Sequence, residues 1–240
     1  MNKKGSVKDH FNEFAHSYSD RAFHSSLGLQ HLSNIEEDFI LTSIKDCKNK
    51  IYLDCGIGAG RNSKILLKKG AFVHGVDFSN QMLEQSKKNL SYYISNKRLF
   101  LHVGDLNKSL LFQNHMFDGV ICIRVIKYVK NWQKLLREIQ KKMKPSSVLI
   151  LEISNIYSIQ YISQFFNTYF TFYPSKIERE LESLGFIIKS KKYGVVLPFH
   201  LYRFINSRKG LRLVLWIEKM IKKSGGRIVS RNVLYSCKLA

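Results

Sequence analysis

Residues Tyr52-Leu-Asp-Cys-Gly-Ile-Gly-Ala-Gly-Arg61 close an apolar, strand-like run and open a helical one. Glycines at 56, 58 and 60 remove side chains where a backbone must turn sharply and approach a ligand closely, and the helix that follows presents unpaired N–H groups to that ligand. A dinucleotide fingerprint, G-x-G-x-x-G, would place its third glycine at 61, but Arg61 stands there and the third glycine arrives one residue early. The spacing disfavours a nicotinamide dinucleotide. Asp54, two residues before the first glycine, is badly placed for a pyrophosphate and well placed for a cationic amine. The stretch therefore describes a nucleotide-type cofactor site whose ligand carries positive charge.

Two further strand ends extend the pattern. Phe72-Val-His-Gly-Val-Asp77 ends in a carboxylate at the separation from the glycine loop where doubly wound folds meet a ribose diol, which makes Asp77 the expected ribose ligand. Leu99-Phe-Leu-His-Val103 runs into Gly104-Asp105-Leu106, which sets a carboxylate within reach of the exocyclic amine of an adenine. Each element is common by itself; the ordered set is specific.

With these motifs in place the chain resembles the class I S-adenosylmethionine-dependent methyltransferases, in particular the small-molecule branch that includes quinone and biotin-precursor enzymes. Residues 51–153 carry the resemblance. It implies that Asp54 and the loop of Gly56, Gly58 and Gly60 hold the methionine end of S-adenosyl-L-methionine, that Asp77 holds the ribose hydroxyls, and that Asp105 with Leu106 holds the adenine, with Phe78 and Ile123 as further cofactor-binding residues. Phe117-Asp-Gly-Val-Ile-Cys-Ile-Arg-Val-Ile-Lys-Tyr-Val129 and Leu135-Leu-Arg-Glu-Ile-Gln-Lys-Lys-Met-Lys-Pro145 resemble the fourth strand with its loop and the helix before the fifth strand. Two positions depart from the branch. Lys127-Tyr128 replaces a common Glu-His, which puts a histidine base in that loop in doubt, and Pro145-Ser-Ser147 replaces Pro-Gly-Gly, a change a serine-tolerant turn absorbs.

Length and composition suit one domain: 240 residues, 45% of them hydrophobic, are enough for a single α/β unit with a substantial core. The pattern predicts strands near 51–54, 72–77, 99–103, 118–123, 147–153, 185–193 and 232–239, with helices between most of them. This is an α/β, doubly wound, seven-stranded and mostly parallel sheet, and the resemblance implies that the last strand inserts antiparallel beside the fifth. The expected organisation is an N-terminal helical lid over 1–46, a cofactor-binding core over 47–193, a helical cap insertion over 194–231 and the last strand over 232–240. Cysteines 47, 55, 122 and 237 lack C-x-x-C spacing, so neither a disulfide framework nor a metal site is expected. No apolar run follows the basic first residues and none reaches the roughly 18 residues that span a bilayer. A cytoplasmic protein, soluble or peripheral at a membrane, is the expectation.

Val7, Phe11, Phe14 and Tyr18 fall on one helical face. Either this helix packs on the domain as ordinary structure or, as the resemblance implies, it folds over the cofactor with Tyr18 lining the site. Residues 194–231 exceed the needs of a hairpin and should shape substrate access. From 195 to 240 ten Lys or Arg face Glu218 alone, and much of the net charge of +21 sits there beside dense apolar sequence. Such charge admits RNA, anionic lipid headgroups and phosphorylated compounds alike, and it can also reflect biased base composition in a genome. The adjoining apolar residues favour a lipid surface or a lipid-linked acceptor over RNA.

An activated methyl group leaves the protein chiefly the task of alignment. If the acceptor is a hydroxyl, a base helps, and His10, His16, His24, Tyr128 and His200 are the candidates; His74 and His102, inside strands, read as core. Arg124 reads either as a solvated loop residue or as the holder of an acidic substrate group. The leading expectation is methyl transfer to a small-molecule or lipid-linked acceptor, at oxygen. RNA methylation through the basic face and S-adenosylmethionine binding without catalysis are the alternatives.

Overall fold

The computed structural model describes residues 7–15, 25–158 and 169–240. Seven strands form one sheet in the order β3-β2-β1-β4-β5-β7-β6: β1 Ile51–Cys55, β2 Phe72–Asp77, β3 Leu99–Val103, β4 Phe117–Cys122, β5 Met143–Ser154, β6 Phe186–Tyr193 and β7 Asn232–Leu239. Pairing is parallel from β3 through β5, and β7 runs antiparallel between β5 and β6. The central strands are apolar on both faces because helices cover both, the arrangement parallel sheets require. Trp132, Leu135, Leu136 and Ile139 of α6 (Trp132–Lys142) pack on one face together with Ile177 and Leu181 of α7 (Pro174–Ser183). The other face meets Ile65, Leu66 and Leu67 of α3 (Arg61–Lys68), Leu83 of α4 (Asn80–Asn89), and Phe39 and Ile40 of α2 (Leu27–Ser43). The short α5 (Ser91–Ser95) leads into β3.

The order reverses at β1, whose neighbours are β2 and β4, so the crevice beyond the carboxyl ends of these three strands is where a doubly wound sheet accepts ligands. β5 starts earlier than the sequence pattern indicates, at Met143, which pairs with Phe117 before the register shifts. Ser146, where the related branch often has glycine, takes φ +64 in the left-handed region, and Ser147 Oγ donates to the Lys144 carbonyl at 2.5 Å. The substitution is thus accommodated within a turn-like kink.

α1 (Val7–Phe14) and α2 precede the sheet. Residues 194–231 fold as α8 (Phe199–Arg203), α9 (Arg208–Lys223) and a one-turn 3-10 helix, Gly226–Val229. Among the described residues of the expected lid, α1 lies over the carboxyl ends of the strands, while the C-terminal half of α2 packs on the sheet face through Phe39 and Ile40. The N-terminal half of α2 buttresses the cap: Leu29 and Leu32 cluster with Val195, Tyr202, Ile205 and Val214, Ser26 Oγ donates to the Tyr202 carbonyl at 2.7 Å, and the Gly28 amide donates to the Ile205 carbonyl at 3.1 Å. A Cβ at Gly28 would collide with the Tyr202 backbone, so glycine permits this approach. Glu218, the single acid of the cap region, is buried and accepts from the Val196 and Leu197 amides and the Tyr202 hydroxyl at 2.7–2.9 Å. All four cysteines are buried and unbridged.

Candidate functional site

β1 ends in a loop with φ of +71, +55 and +89 at Gly56, Gly58 and Gly60, a run that side chains resist by about 1–2 kcal/mol per residue. The Gly56 and Ile57 amides donate to the Val76 carbonyl, and the Gly58 amide donates to Asp77 Oδ2 at 2.9 Å. Asp77 Oδ1 accepts the Ser79 amide at 2.9 Å. Ser86 Oγ and Asn89 Nδ2 of α4 hold the Gly58 and Ala59 carbonyls. These bonds fix the loop with bare backbone facing outward: a Cβ at Gly58 would meet nothing nearer than the Gly56 carbonyl at 4.0 Å.

That backbone floors a cavity of about 520 Å³, within the range of small-molecule sites. Gly56, Gly58, Asp77, Phe78, Asp105, Leu106, Ile123 and Tyr128 all line it. α1 roofs it through Val7, Lys8 and Phe11; Phe11 stands edge-on to Phe78 at 6.1 Å and to Tyr128 at 5.3 Å between ring centroids. Asn12 Oδ1 accepts the Ser79 hydroxyl at 2.7 Å, tying this roof to the end of β2. Of the two readings of the N-terminal helix, α1 takes the one that covers the site. Tyr18, His16 and His24 lie outside the described residues, as does the side chain of His10.

Asp54 and Gly60 stand behind the cavity wall. Asp54 is buried and accepts the Ser63 hydroxyl at 2.8 Å, and burial pushes its carboxyl up to about 6. Gly60 caps α3, where a Cβ would run into Leu90. The Asp77 carboxyl is likewise raised by burial, against the pull of its amide donors. Asp105 is exposed at the rim and accepts the Asn107 amide at 2.9 Å.

Asn62, which sequence reasoning did not single out, also lines the cavity, and its side-chain oxygen is buried without a hydrogen-bond donor. A buried acceptor left open costs about 1–3 kcal/mol. With Asp77 and Asp105 it gives the lining several acceptors, alongside the apolar Leu106, Ile123 and Phe78. A ligand that fits brings hydrogen-bond donors, positive charge and a flat apolar ring, the chemistry of an adenosyl amino acid.

Three readings from the sequence need correction. Arg124 is neither a solvated loop residue nor uncommitted: its Nη2 and Nε lie 2.7 and 2.8 Å from Glu36 Oε1, while Arg61 Nη2 pairs with Glu36 Oε2. Glu36 is a buried carboxylate on α2, and the two guanidinium groups hold it below the usual carboxylate range despite its burial. Tyr128 does line the cavity, but burial raises its phenol, so the hydroxyl stays protonated and is a donor, not a base, near neutrality. His200 sits exposed on α8 and does not line the cavity. His74 and His102, expected in the core, are half-buried at the β2–β3 edge of the sheet, stacked and in hydrogen-bond contact at 3.0 Å, and neither lines the cavity.

Comparison with known proteins gives the site a context. Residues 53–151 match a family described as a methyltransferase domain. The mitochondrial ubiquinone biosynthesis O-methyltransferase of Schizosaccharomyces pombe is 32% identical over 148 residues, 60% of this chain and 53% of that protein. The chain thus matches about half the length of that relative. Demethylmenaquinone methyltransferase of Leptospira interrogans is 28% identical over 174 residues, 68% of each. Among solved structures, magnesium protoporphyrin IX methyltransferase from Synechocystis PCC 6803, crystallised with bound SAH, superposes with a TM-score of 0.67 at 16% identity and covers 98% of both chains. At that identity the likeness is one of fold.

Proposed function

We propose that this chain, whose residues 53–151 match a methyltransferase domain, is a class I S-adenosylmethionine-dependent methyltransferase that methylates an oxygen of a small-molecule acceptor carried on a lipid. The observation that carries the methyl-transfer reading is the roofed, acceptor-rich cavity at the carboxyl ends of β1, β2 and β4. The cofactor is S-adenosyl-L-methionine, which supplies a methyl group already activated by its sulfonium.

The remaining work belongs to the chain. In this reading Asp77 receives the ribose hydroxyls, the Gly56–Gly60 loop and Asn62 take the amino-acid end with Asp54 behind them, and Phe78, Asp105, Leu106 and Ile123 frame the ring. α1 excludes water through Phe11. The Tyr128 hydroxyl, kept protonated, orients an acceptor oxygen by donating to it. Alignment of this kind contributes on the order of 7–11 kcal/mol to a displacement.

Two features support a lipid-linked acceptor. The matched relatives include enzymes named for ubiquinone and demethylmenaquinone. The cap also presents an apolar ridge to solvent: Leu213, Trp216 and Met220, on one face of α9, are each more than half exposed and are flanked by Arg212, Lys219 and Lys223. Basic and apolar residues side by side suit an anionic bilayer surface. Among the described residues no helix is long and apolar enough to cross a membrane.

The test is incubation with methyl-labelled S-adenosylmethionine and host extract, followed by separation of organic-soluble, small polar and RNA fractions. Label in the organic-soluble fraction is the expected result. Label in RNA overturns the reading in favour of a nucleic-acid substrate, and tight cofactor binding without labelled product reduces the protein to a binder.

A further inference from the structure

Beyond the donor cavity, at the carboxyl ends of β4 and β5 and the start of β7, the chain gathers more positive charge than it neutralises. Arg61, Arg124, Lys127 and Arg231 act there on two carboxyls, Glu36 and Glu152. Glu36 is taken by Arg61 and Arg124. Lys127 and Arg231 have no hydrogen-bonded or ion-paired carboxylate among the described residues. The Lys127 ammonium lies 5.2 Å from the ring centroids of both Tyr128 and Tyr169, and the Arg231 guanidinium lies 4.4 Å from that of Phe199. Aromatic faces attract a cation without neutralising it.

Glu152 acts on both cations through charge but bonds to neither. It is 8% exposed, its Oε1 accepts from Asn232 Nδ2 at 2.7 Å, and its Oε2 is buried with no partner. Burial and the neighbouring Glu36 raise its carboxyl, against the pull of Arg124, Lys127 and Arg231. Burial and Arg231 together bring the Lys127 ammonium down to about 7, the response of a cation short of counter-charge. Two half-buried cations in excess of the carboxylates that pair with their neighbours are unfavourable unless something anionic completes them.

We infer that Lys127 and Arg231, beside the buried Glu152, form a recognition site for a carboxylate or phosphate group borne by the methyl acceptor. The proposal rests on the methyltransferase reading for the word acceptor, and it narrows that reading to oxyanion-bearing molecules. The place suits the role. Tyr128, against which Lys127 packs, lines the donor cavity, and Arg124 lines both that cavity and a small one of about 20 Å³ that also reaches Gly194, Arg231, Asn232 and Glu36, whose carboxylate is already held by Arg61 and Arg124. The smaller space has room for one water-sized group, the scale of a single oxyanion oxygen. An acid bound there holds its molecule at the edge of the donor cavity. The planar fork of Arg231 favours two-point contact with an oxyacid.

The test titrates benzoate and, separately, inorganic phosphate into the full chain, with and without S-adenosylhomocysteine, by calorimetry, with benzamide as the uncharged control. The expected result is saturable binding of at least one anion and not of benzamide, weakened about tenfold or more in Lys127→Met and in Arg231→Met, the scale of losing a charged hydrogen bond. Lys127→Arg and Arg231→Lys, which keep the charge, should retain most of the binding. Stronger binding of benzoate assigns a carboxylate, and stronger binding of phosphate a phosphorylated molecule. Absence of saturable anion binding, or equal binding in the Met variants, overturns the site. S-adenosylhomocysteine affinity is read in the same samples; its absence in the wild-type chain would sink the methyltransferase reading while leaving the anion result to stand by itself.

Discussion

The Gly58 amide donates to Asp77 Oδ2 across 2.9 Å, so the residue that ends β2 also sets the shape of the loop that ends β1. Asp77 is therefore asked for two things, a ligand contact and a loop brace. Asp77→Ala is expected to weaken S-adenosylmethionine binding by about 1.5–3 kcal/mol, the worth of a hydrogen bond to a charged group. Calorimetry checks this, and unchanged affinity would remove Asp77 from the site. Asp77→Asn, whose side-chain oxygen can still take one amide, should fall between the two.

Glu36 sits buried between Arg61, on the helix after the glycine loop, and Arg124, on the loop after β4. Removing one member of a buried ionic set strands the others at a cost of about 3–5 kcal/mol. Glu36→Gln should lower the thermal midpoint and weaken cofactor binding together. Loss of stability with cofactor affinity intact would show that the clamp serves the fold alone.

Asp54 links cofactor binding to pH. Its folded-state carboxyl is raised to about 6 from an ordinary value of 3.8, so the ligand-free protein has this contribution to stability in full below the lower value and loses it as pH rises through about 6. A cationic ligand favours the carboxylate, so affinity should move the opposite way, tightening as pH rises through about 6 and levelling above it. Titrations from about pH 5 to 8 read both slopes. Asp54→Asn should bind weakly and show neither slope; a wild-type affinity that is flat with pH contradicts the assignment.

The exposed ridge of α9 makes a separate prediction about surfaces. Vesicles containing about 30% anionic lipid should sediment the protein and shift Trp216 emission to the blue, whereas zwitterionic vesicles should do neither. Leu213→Glu with Trp216→Glu should abolish sedimentation without lowering the thermal midpoint, because both side chains are already more than half exposed. Sedimentation unchanged in that variant rules out the ridge as the contact.

The parts of this molecule that the sequence announces are local. The glycine loop and the carboxylates at positions 77 and 105 follow strands whose apolar pattern is unbroken, and β2, β3 and β7 fall where the pattern puts them. The start of β5 was hidden because Lys144, Ser146 and Ser147 do not read as a buried strand, although Met143 already pairs with Phe117. Glu36 gave no signal: its partners are 25 and 88 residues away, and nothing in an acidic stretch of an amphipathic helix marks which acid turns inward. The same holds for Lys127 and Arg231, which come together only because β7 returns beside β5. Asn62 was passed over because an asparagine in the first turn of a helix is ordinary until the space around its oxygen is known.

One helix reaches both ends of the machine. α2 carries Glu36, which grips the start of α3 and the loop after β4 beside the donor cavity, and its Leu29 and Leu32 lie against the cap that bears the exposed ridge. If seating the cap on a bilayer shifts α2, cofactor affinity changes by some factor, and thermodynamic reciprocity then requires that bound cofactor change bilayer affinity by the same factor. Residence at the interface and readiness to react would be one equilibrium observed from two sides.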